Sequence, residues 1–109
     1  MRSVIIVEDE RLVLLGIQSL FLEKKEFRIV GSFSNPSEAL KSIGIHHPDI
    51  VLTDIRMPQM DGLELIREIK KVSPKTSIVV LSCLDDFEIV SKAFKLGISD
   101  YLLKHDLEN

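Results

Sequence analysis

The chain has 109 residues, of which 45% are hydrophobic and 28% charged, and its formal net charge is −3. This balance is typical of one soluble globular domain, and the scattered lysines and arginines argue against nucleic-acid binding by this segment alone. The single cysteine, Cys83, excludes an internal disulfide, and the apolar run VIIV at residues 4–7 is too short for a signal peptide or a membrane span. We therefore expect a cytoplasmic domain without membrane contact.

Apolar runs alternate with segments of helical period along the chain. This pattern predicts βα repeats that build a parallel sheet covered on both faces. The predicted strands span residues 3–7, 27–33, 49–53, 77–81 and 99–103. A helix is predicted after each of the first four strands, and the first helix covers residues 11 to about 25. The fold class is therefore doubly wound α/β.

Three predicted helix starts carry a cap residue followed three residues later by glutamate, which is the spacing of a capping box. These pairs are Asn35 and Glu38, Asp61 and Glu64, and Asp85 and Glu88. Gly97 is a candidate for the left-handed residue that ends the fourth helix. Helices two, three and four should therefore begin directly after Asn35, Asp61 and Asp85.

Five predicted strands are matched by only four helices, because the sequence ends soon after the fifth strand. The first helix carries apolar residues around much of its circumference, namely Leu12, Val13, Leu14, Leu15, Ile17, Leu20, Phe21 and Leu22. This surface is wider than a single core-facing stripe requires, which indicates a further packing partner. We therefore expect residues 1–109 to form one domain that is truncated at its C-terminus and lacks a fifth helix.

Polar or charged residues directly follow four of the predicted strands. Glu8 and Asp9 follow the first strand, Asp54 the third, Ser82 the fourth and Lys104 the fifth. Ligands bind beyond the carboxyl ends of strands in open α/β sheets, so we expect these side chains to converge. Clustered carboxylates repel one another unless a cation is present, and Mg²⁺ prefers one or two carboxylates together with phosphate oxygens. The sequence therefore predicts a magnesium site that takes a phosphate-bearing partner.

An ionised aspartate can attack phosphorus, and Asp54 is the candidate nucleophile. Lys104 would supply an ammonium group, and Ser82 a hydroxyl donor, to the transferred oxygens. Each residue taken alone also has an ordinary interpretation as a solvated strand end or a helix cap. On that basis we assign Glu10 to the surface and regard Asp61 as equally suited to capping a helix. The joint placement at four strand ends favours a functional site.

Four segments, VIIVEDE, LTDIRMPQMDGLELI, IVVLSCLDD and GISDYLLK, resemble the receiver domains of two-component response regulators. The most specific of them contains the pattern D-x-x-M-P-x-M-D-G at residues 54–62, and the resemblance spans nearly the whole chain. It implies a flavodoxin-like fold with strand order 2-1-3-4-5. It also implies that a sensor histidine kinase phosphorylates Asp54 and that the phosphorylated form can pair as a homodimer.

The resemblance further implies which residues hold Mg²⁺ and which respond to phosphorylation. The metal ligands would be Glu8, Asp9, Asp54 and the backbone carbonyl of Arg56. Ser82 would be the hydroxyl switch and Tyr101 the aromatic switch, and together they would reshape the surface of helix four and strand five. For Tyr101, simple packing against a strand is the alternative interpretation.

Two features depart from the family pattern. His105 follows Lys104 where the family usually has proline, often after a cis peptide bond, and the first acidic pair is Glu-Asp rather than Asp-Asp. A cis bond before a non-proline residue costs roughly 3–4 kcal/mol, so the sequence leaves the placement of Lys104 open. We interpret His105 as a loop residue rather than as a ligand or base.

The stretch CLDDFEIVSKAFKLGISDYLLK is most similar to receivers of regulators that carry an AraC-type helix-turn-helix output domain. Such a full-length protein would be a transcription factor that contacts DNA only through the output domain. That output domain is absent from residues 1–109.

Two other functions compete with signalling by phosphorylation. A phosphohydrolase of the haloacid-dehalogenase type also places a nucleophilic aspartate after a buried strand, but its second aspartate is replaced here by Arg56, which cannot donate a proton at neutral pH. The other alternative is an interaction module that keeps the fold and works without phosphorylation. A receiver is expected not to be an enzyme beyond its own phosphorylation and dephosphorylation.

Overall fold

A computed structural model describes residues 1–83 and 85–108. The strands are β1 (Arg2–Val7), β2 (Phe27–Phe33), β3 (Ile50–Asp54), β4 (Ser77–Ser82) and β5 (Asp100–Leu103), and the helices are α1 (Arg11–Leu22), α2 (Pro36–His46), α3 (Gly62–Val72) and α4 (Phe87–Leu96). A 3₁₀ turn, Lys104–Glu108, follows β5. The strands form one parallel sheet in the order β2-β1-β3-β4-β5, which confirms the predicted fold class and strand order.

The two faces of the sheet bury separate apolar clusters. Alternate strand residues point to opposite faces, so Ile5, Val51 and Ile78 pack on the side of α2, α3 and α4. Val4 and Leu52 pack instead on the other side, against α1. Three helices therefore cover one face, and a single long helix covers the other.

Helix α1 leaves much of its apolar surface in solvent. Leu12 and Leu22 are each 83% exposed, and Leu20 is 50% exposed. This matches the wide apolar circumference predicted from the sequence. None of the helices within residues 1–83 and 85–108 has the length and hydropathy needed to cross a membrane.

Two of the predicted helix starts and one predicted helix end are confirmed. The side chain of Asn35 accepts hydrogen bonds from the backbone N–H groups of residues 37 and 38, and Asp61 accepts one from Leu63. Gly97 ends α4 with φ 103°, which is a left-handed conformation that glycine adopts without a steric cost. The local sequence therefore fixes most helix boundaries.

The structure corrects two predicted boundaries. Helix α1 ends at Leu22 rather than near residue 25, because the chain turns back to pair Phe21 with Phe27, whose rings meet edge to face at 5.5 Å. Helix α4 begins at Phe87, one residue later than predicted, with Asp86 rather than Asp85 at the cap position. The carboxylate of Asp86 makes no capping bond because it binds elsewhere.

A chain of polar side chains joins the α2–β3 and α3–β4 connections at the amino edge of the sheet. His47 Nδ1 lies 3.2 Å from Ser73 Oγ, and Ser73 Oγ lies 2.6 Å from Thr76 Oγ1. Thr76 in turn donates to the carbonyl of Pro48 at 2.7 Å. This edge is held by hydrogen bonds far from the carboxyl ends of the strands.

Candidate functional site

Four acidic side chains meet at the carboxyl edge of the sheet. Glu8, Asp9 and Glu10 follow β1, Asp54 ends β3, and a carboxylate oxygen from each lies within 4.8 Å of the others. Glu8 and Asp54 are buried, whereas Asp9 and Glu10 are exposed. The parallel sheet brings together these strand ends, which are distant in sequence but neighbouring in space.

The ammonium group of Lys104 lies among these carboxylates. Its Nζ is 2.9 Å from Asp54 Oδ2 and 3.2 Å from both Glu8 Oε1 and Glu10 Oε1. The Lys104 side chain is only 12% exposed. The contact with Glu10 differs from the predicted surface assignment: Glu10 occupies the cap position of α1, but its side chain makes no capping bond and reaches Lys104 instead.

The local electrostatics reflect crowded negative charge. Burial, reinforced by the charge of Asp54, raises the pKa of Glu8 to about 7. Burial acts to lower the pKa of Lys104, but the hydrogen bond and charge of Asp54 outweigh it and raise that pKa. One lysine therefore contacts three carboxylates, so the site keeps an excess of negative charge that a further cation can neutralise.

The donor set fits a hard divalent ion. All the clustered ligand atoms are carboxylate oxygens, which Mg²⁺ and Ca²⁺ prefer over nitrogen or sulfur. Glu8 Oε2 is buried and has no hydrogen-bond partner among the described residues. A buried carboxylate oxygen without a partner is costly, so this atom is suited to contact a metal ion or an ordered water.

The loop after β3 helps to fix the position of the Asp54 carboxylate. The backbone N–H of Arg56 donates to Asp54 Oδ1 at 3.1 Å. The loop then folds back so closely that a Cβ on Gly62 would lie 2.2 Å from the carbonyl oxygen of Ile55. A side chain at residue 62 would therefore displace the segment that positions Asp54.

The side chain of Arg56 turns away from the acidic cluster. It forms a salt bridge with the buried carboxylate of Asp86. Arg56 thus contributes its backbone to the Asp54 region and its guanidinium group to the β4–α4 connection. The backbone carbonyl of Arg56 stays a predicted metal ligand.

Ser82 and Tyr101 border one pocket between the end of β4, β5 and α4. The pocket has a volume of about 220 Å³ and is lined mainly by apolar and aromatic side chains. Ser82 Oγ is buried without a hydrogen-bond partner among residues 1–83 and 85–108. Tyr101 is 41% exposed, and its ring packs edge to face against Phe94 with ring centroids 6.0 Å apart. The ring therefore lies on the solvent-facing side of β5.

The residue after Lys104 has no contact with the acidic cluster among the described side chains. His105 is exposed in the 3₁₀ turn, in agreement with its interpretation as a loop residue. The peptide bonds across the described ranges are all trans, so Lys104 reaches the cluster without the cis bond that is common in the family. The replacement of proline by histidine therefore leaves the lysine in place.

A five-stranded parallel sheet of this order, with clustered acids, a lysine and a hydroxyl at its carboxyl edge, is the architecture of a receiver domain. Comparisons with known proteins agree. The family model of the response regulator receiver domain matches residues 4–109, and the chain belongs to this family. It is a signalling domain of two-component response regulators.

Individual relatives include a transcriptional regulatory protein and a chemotaxis protein. The chain is 39% identical over 105 residues to the uncharacterized transcriptional regulatory protein YesN of Bacillus subtilis, covering 95% of this chain and 28% of YesN. It is 32% identical to the chemotaxis protein CheY of Thermotoga maritima over 103 residues, which cover 94% of this chain and 85% of CheY.

A solved structure shows the same fold. The isolated receiver domain of RcsB from Salmonella enterica, determined with the phosphomimetic BeF₃⁻, superposes with a TM-score of 0.88 at 30% identity. The superposition covers 95% of this chain and 78% of that one.

Proposed function

We propose that Asp54 accepts a phosphoryl group from a phosphorylated histidine of a sensor kinase, with Mg²⁺ as cofactor. The observation that carries this proposal is the environment of the Asp54 carboxylate. One of its oxygens bonds to Lys104 and the other to the backbone N–H of Arg56, and both bonds hold it at the carboxyl edge of the sheet. A fixed carboxylate with a neighbouring cation is suited to attack phosphorus.

The transfer is a simple exchange of bonds. An oxygen of Asp54 forms the new bond to phosphorus while the bond between phosphorus and the imidazole nitrogen of the donor breaks. The electron pair of that bond stays on the nitrogen, and the imidazole leaves as a neutral ring because its other nitrogen carries a proton. The product is an acyl phosphate on Asp54, and water later releases inorganic phosphate from it.

Glu8, Asp9, Asp54 and the carbonyl of Arg56 would hold the Mg²⁺ ion, and the partnerless Glu8 Oε2 supports this assignment. When bound, the ion supplies positive charge that lowers the repulsion between the incoming phosphoryl group and the carboxylates. Lys104, directly after the carboxyl end of β5, supplies a second positive charge. Its contacts with three carboxylates support this role, because Lys104 already lies beside the oxygen that would receive the phosphoryl group.

We further propose that Ser82 and Tyr101 carry the response to phosphorylation. The partnerless hydroxyl of Ser82 can donate to an oxygen of a phosphoryl group, which removes the cost of its burial. Movement of Ser82 toward Asp54 opens space beside α4, and the Tyr101 ring can turn into the pocket that both residues border. The surface of α4 and β5 would change shape as a result.

The chain spans 28% of the length of YesN, so the activity of the whole protein is also a matter of proposal. We propose that residues 1–109 are the receiver part of a cytoplasmic transcription regulator, truncated before its fifth helix. DNA would be contacted only through a separate output domain, for which the sequence resemblance indicates the AraC type. A homodimer formed on phosphorylation would use the α4 and β5 surface, and no membrane contact is expected.

Acetyl phosphate with Mg²⁺, followed by intact-mass measurement, tests the central proposal. The expected result is a mass increase of one phosphate that requires Mg²⁺ and is lost in Asp54→Asn. Asp61→Asn is the matched control, because asparagine caps a helix as well as aspartate and Asp61 only caps α3. No mass increase in the unmodified chain would contradict the proposal and favour the interaction module.

The same preparation separates the phosphohydrolase alternative. A phosphohydrolase would turn over p-nitrophenyl phosphate repeatedly, whereas a receiver holds at most one phosphate per chain at a time and releases it slowly. The Arg56 side chain, bound to Asp86, offers no acid to a leaving group. We therefore expect no sustained turnover.

A further inference from the structure

Among the residues whose burial is described, Asp86 carries the one buried charge outside the acidic cluster and Lys104. The Asp86 side chain is 1% exposed, and its two carboxylate oxygens have different partners. Oδ1 accepts from the guanidinium group of Arg56, and Oδ2 accepts from the backbone N–H of Cys83 at 2.7 Å. The backbone N–H of Asp86 also donates to the carbonyl of Cys83 at 3.2 Å. These bonds close the turn that follows β4.

Asp86 stands at the cap position of α4 but does not act as a cap. Its side chain accepts no hydrogen bond from the first turn of α4, whereas Asp61 at the same position of α3 bonds to Leu63 at 2.9 Å. A buried carboxylate is costly unless its oxygens are paired, and Asp86 pairs both of them with residues outside its helix. Its role is therefore to join segments rather than to start the helix.

The two segments that Asp86 joins both belong to the proposed phosphorylation site. Arg56 binds Asp86 through its side chain and Asp54 through its backbone N–H. Cys83, on the other side, directly follows Ser82, whose buried hydroxyl has no partner in the described part of the chain. Hydrogen bonds made by Arg56 and Asp86 thus connect the Asp54 carboxylate to the turn that directly follows Ser82.

We propose that Asp86 is a positioning residue that fixes the turn directly after Ser82 relative to Asp54 and thereby prolongs the life of the phosphoryl group. The inference rests on the proposed function, because it concerns the acyl phosphate on Asp54. A fixed turn directly after Ser82 keeps its hydroxyl within reach of the phosphoryl oxygens. A turn released from Arg56 holds the hydroxyl less firmly, so the phosphoryl group loses a donor that stabilises it.

The first test is made on the unphosphorylated protein and does not depend on phosphoacceptance. Arg56→Met removes the guanidinium group but leaves every atom of the bond between Asp86 and the Cys83 N–H in place. If Arg56 holds Asp86 and Asp86 holds the turn, hydrogen exchange of the Cys83 amide, followed by NMR, accelerates by at least about threefold. An unchanged exchange rate would show that the two bonds are independent and would overturn the inference.

The second test measures the half-life of the phosphorylated protein after excess acetyl phosphate is removed. Asp86→Ala is expected to shorten the half-life by at least about threefold. The double variant Asp86→Ala with Arg56→Met is expected to have the same half-life as the shorter-lived of the two single variants. Two half-lives that multiply in the double variant, or an unchanged half-life in Asp86→Ala, would refute the positioning role.

Two control variants separate positioning from a general loss of stability. Asn35→Ala removes the helix cap of α2, whose side chain bonds to the backbone N–H groups of Ser37 and Glu38, so it lowers the free energy of unfolding without shortening the half-life. Lys71→Met breaks the exposed salt bridge with Glu68 and should change neither quantity. If the unmodified protein takes no phosphate at all, the proposed function fails, and the exchange experiment still decides whether Asp86 links the two segments.

Discussion

Lys104 Nζ and Asp54 Oδ2 lie 2.9 Å apart across 50 residues of sequence, and the same ammonium group also contacts Glu8. The carboxylates of Glu8 and Asp54 are 0% and 3% exposed, so water does little to stabilise their charges. The lysine is therefore as much a structural counter-ion as a candidate for catalysis. Because of this double role, replacing Lys104 should change the stability of the protein even before any phosphate is added.

Replacing Lys104 by methionine is expected to lower the free energy of unfolding by about 3 kcal/mol in metal-free buffer, because buried carboxylates lose their partner. The loss stays at the low end of the range for such pairs, since Glu8 can take up a proton. Urea unfolding with a chelator measures it. Lys71→Met, which breaks only an exposed pair, should cost no more than about 0.5 kcal/mol. Equal losses in the two variants would contradict the structural role of Lys104.

Mg²⁺ is expected to raise the melting temperature of the unmodified protein. At a concentration of about ten times its Kd, an ion that binds only the folded state adds about 1.4 kcal/mol. Asp9→Asn should remove most of this response without lowering metal-free stability, because Asp9 is exposed. Glu23→Gln, at an exposed acid outside the acidic cluster, is the control and should respond normally to Mg²⁺ in a thermal shift titration. A full response in Asp9→Asn would remove Asp9 from the proposed ligand set.

Gly62→Ala and Gly44→Ala should have opposite effects on stability. The new Cβ at residue 62 would overlap the backbone carbonyl of Ile55, so we expect a loss of about 1–3 kcal/mol. The new Cβ at residue 44, within α2, would make an ordinary contact of 3.6 Å with Val72, and we expect a gain of about 0.5–1 kcal/mol. Chemical denaturation of the two variants side by side measures both signs. Tolerance of alanine at residue 62 would mean that the loop after Asp54 can shift freely.

Ser82→Ala is expected to stabilise the unphosphorylated protein by about 1 kcal/mol, because it removes a buried hydroxyl that has no partner. Ser73→Ala removes a buried hydroxyl that has partners, and it should destabilise by about 1–2 kcal/mol. Both values come from urea unfolding without phosphodonor. A clear loss of stability in Ser82→Ala would show that its hydroxyl is already satisfied before phosphorylation.

The sequence predicted the fold and the strand ends well, because both depend on local patterns. Alternating apolar runs define β1 to β5, and parallel pairing then forces Glu8, Asp54 and Lys104 to one edge. Asn35 and Gly97 were recognisable because caps and left-handed residues have strong local preferences. For these features, a few neighbouring residues contain the necessary information.

The sequence did not reveal which partner each polar side chain would choose. Glu10 and Asp86 both stand at cap positions, yet Glu10 bonds to Lys104 and Asp86 to Arg56, each from a distant part of the chain. Local spacing describes only what a residue can do within its own helix. Where a buried cation lies near, a charge-assisted bond competes with capping, and only the folded arrangement decides between them.

The hydrogen bonds that join His47, Ser73, Thr76 and Pro48 at the amino edge of the sheet also define which group is the donor in each bond. The single hydroxyl proton of Thr76 goes to the Pro48 carbonyl, so Ser73 must donate to Thr76 and can only accept from the ring of His47. His47 therefore carries a proton on Nδ1, in the less common neutral tautomer or in the imidazolium form. The His47–Ser73 hydrogen bond therefore anchors the α2–β3 connection to the α3–β4 connection, and ¹⁵N shifts of the ring would reveal the proton on Nδ1.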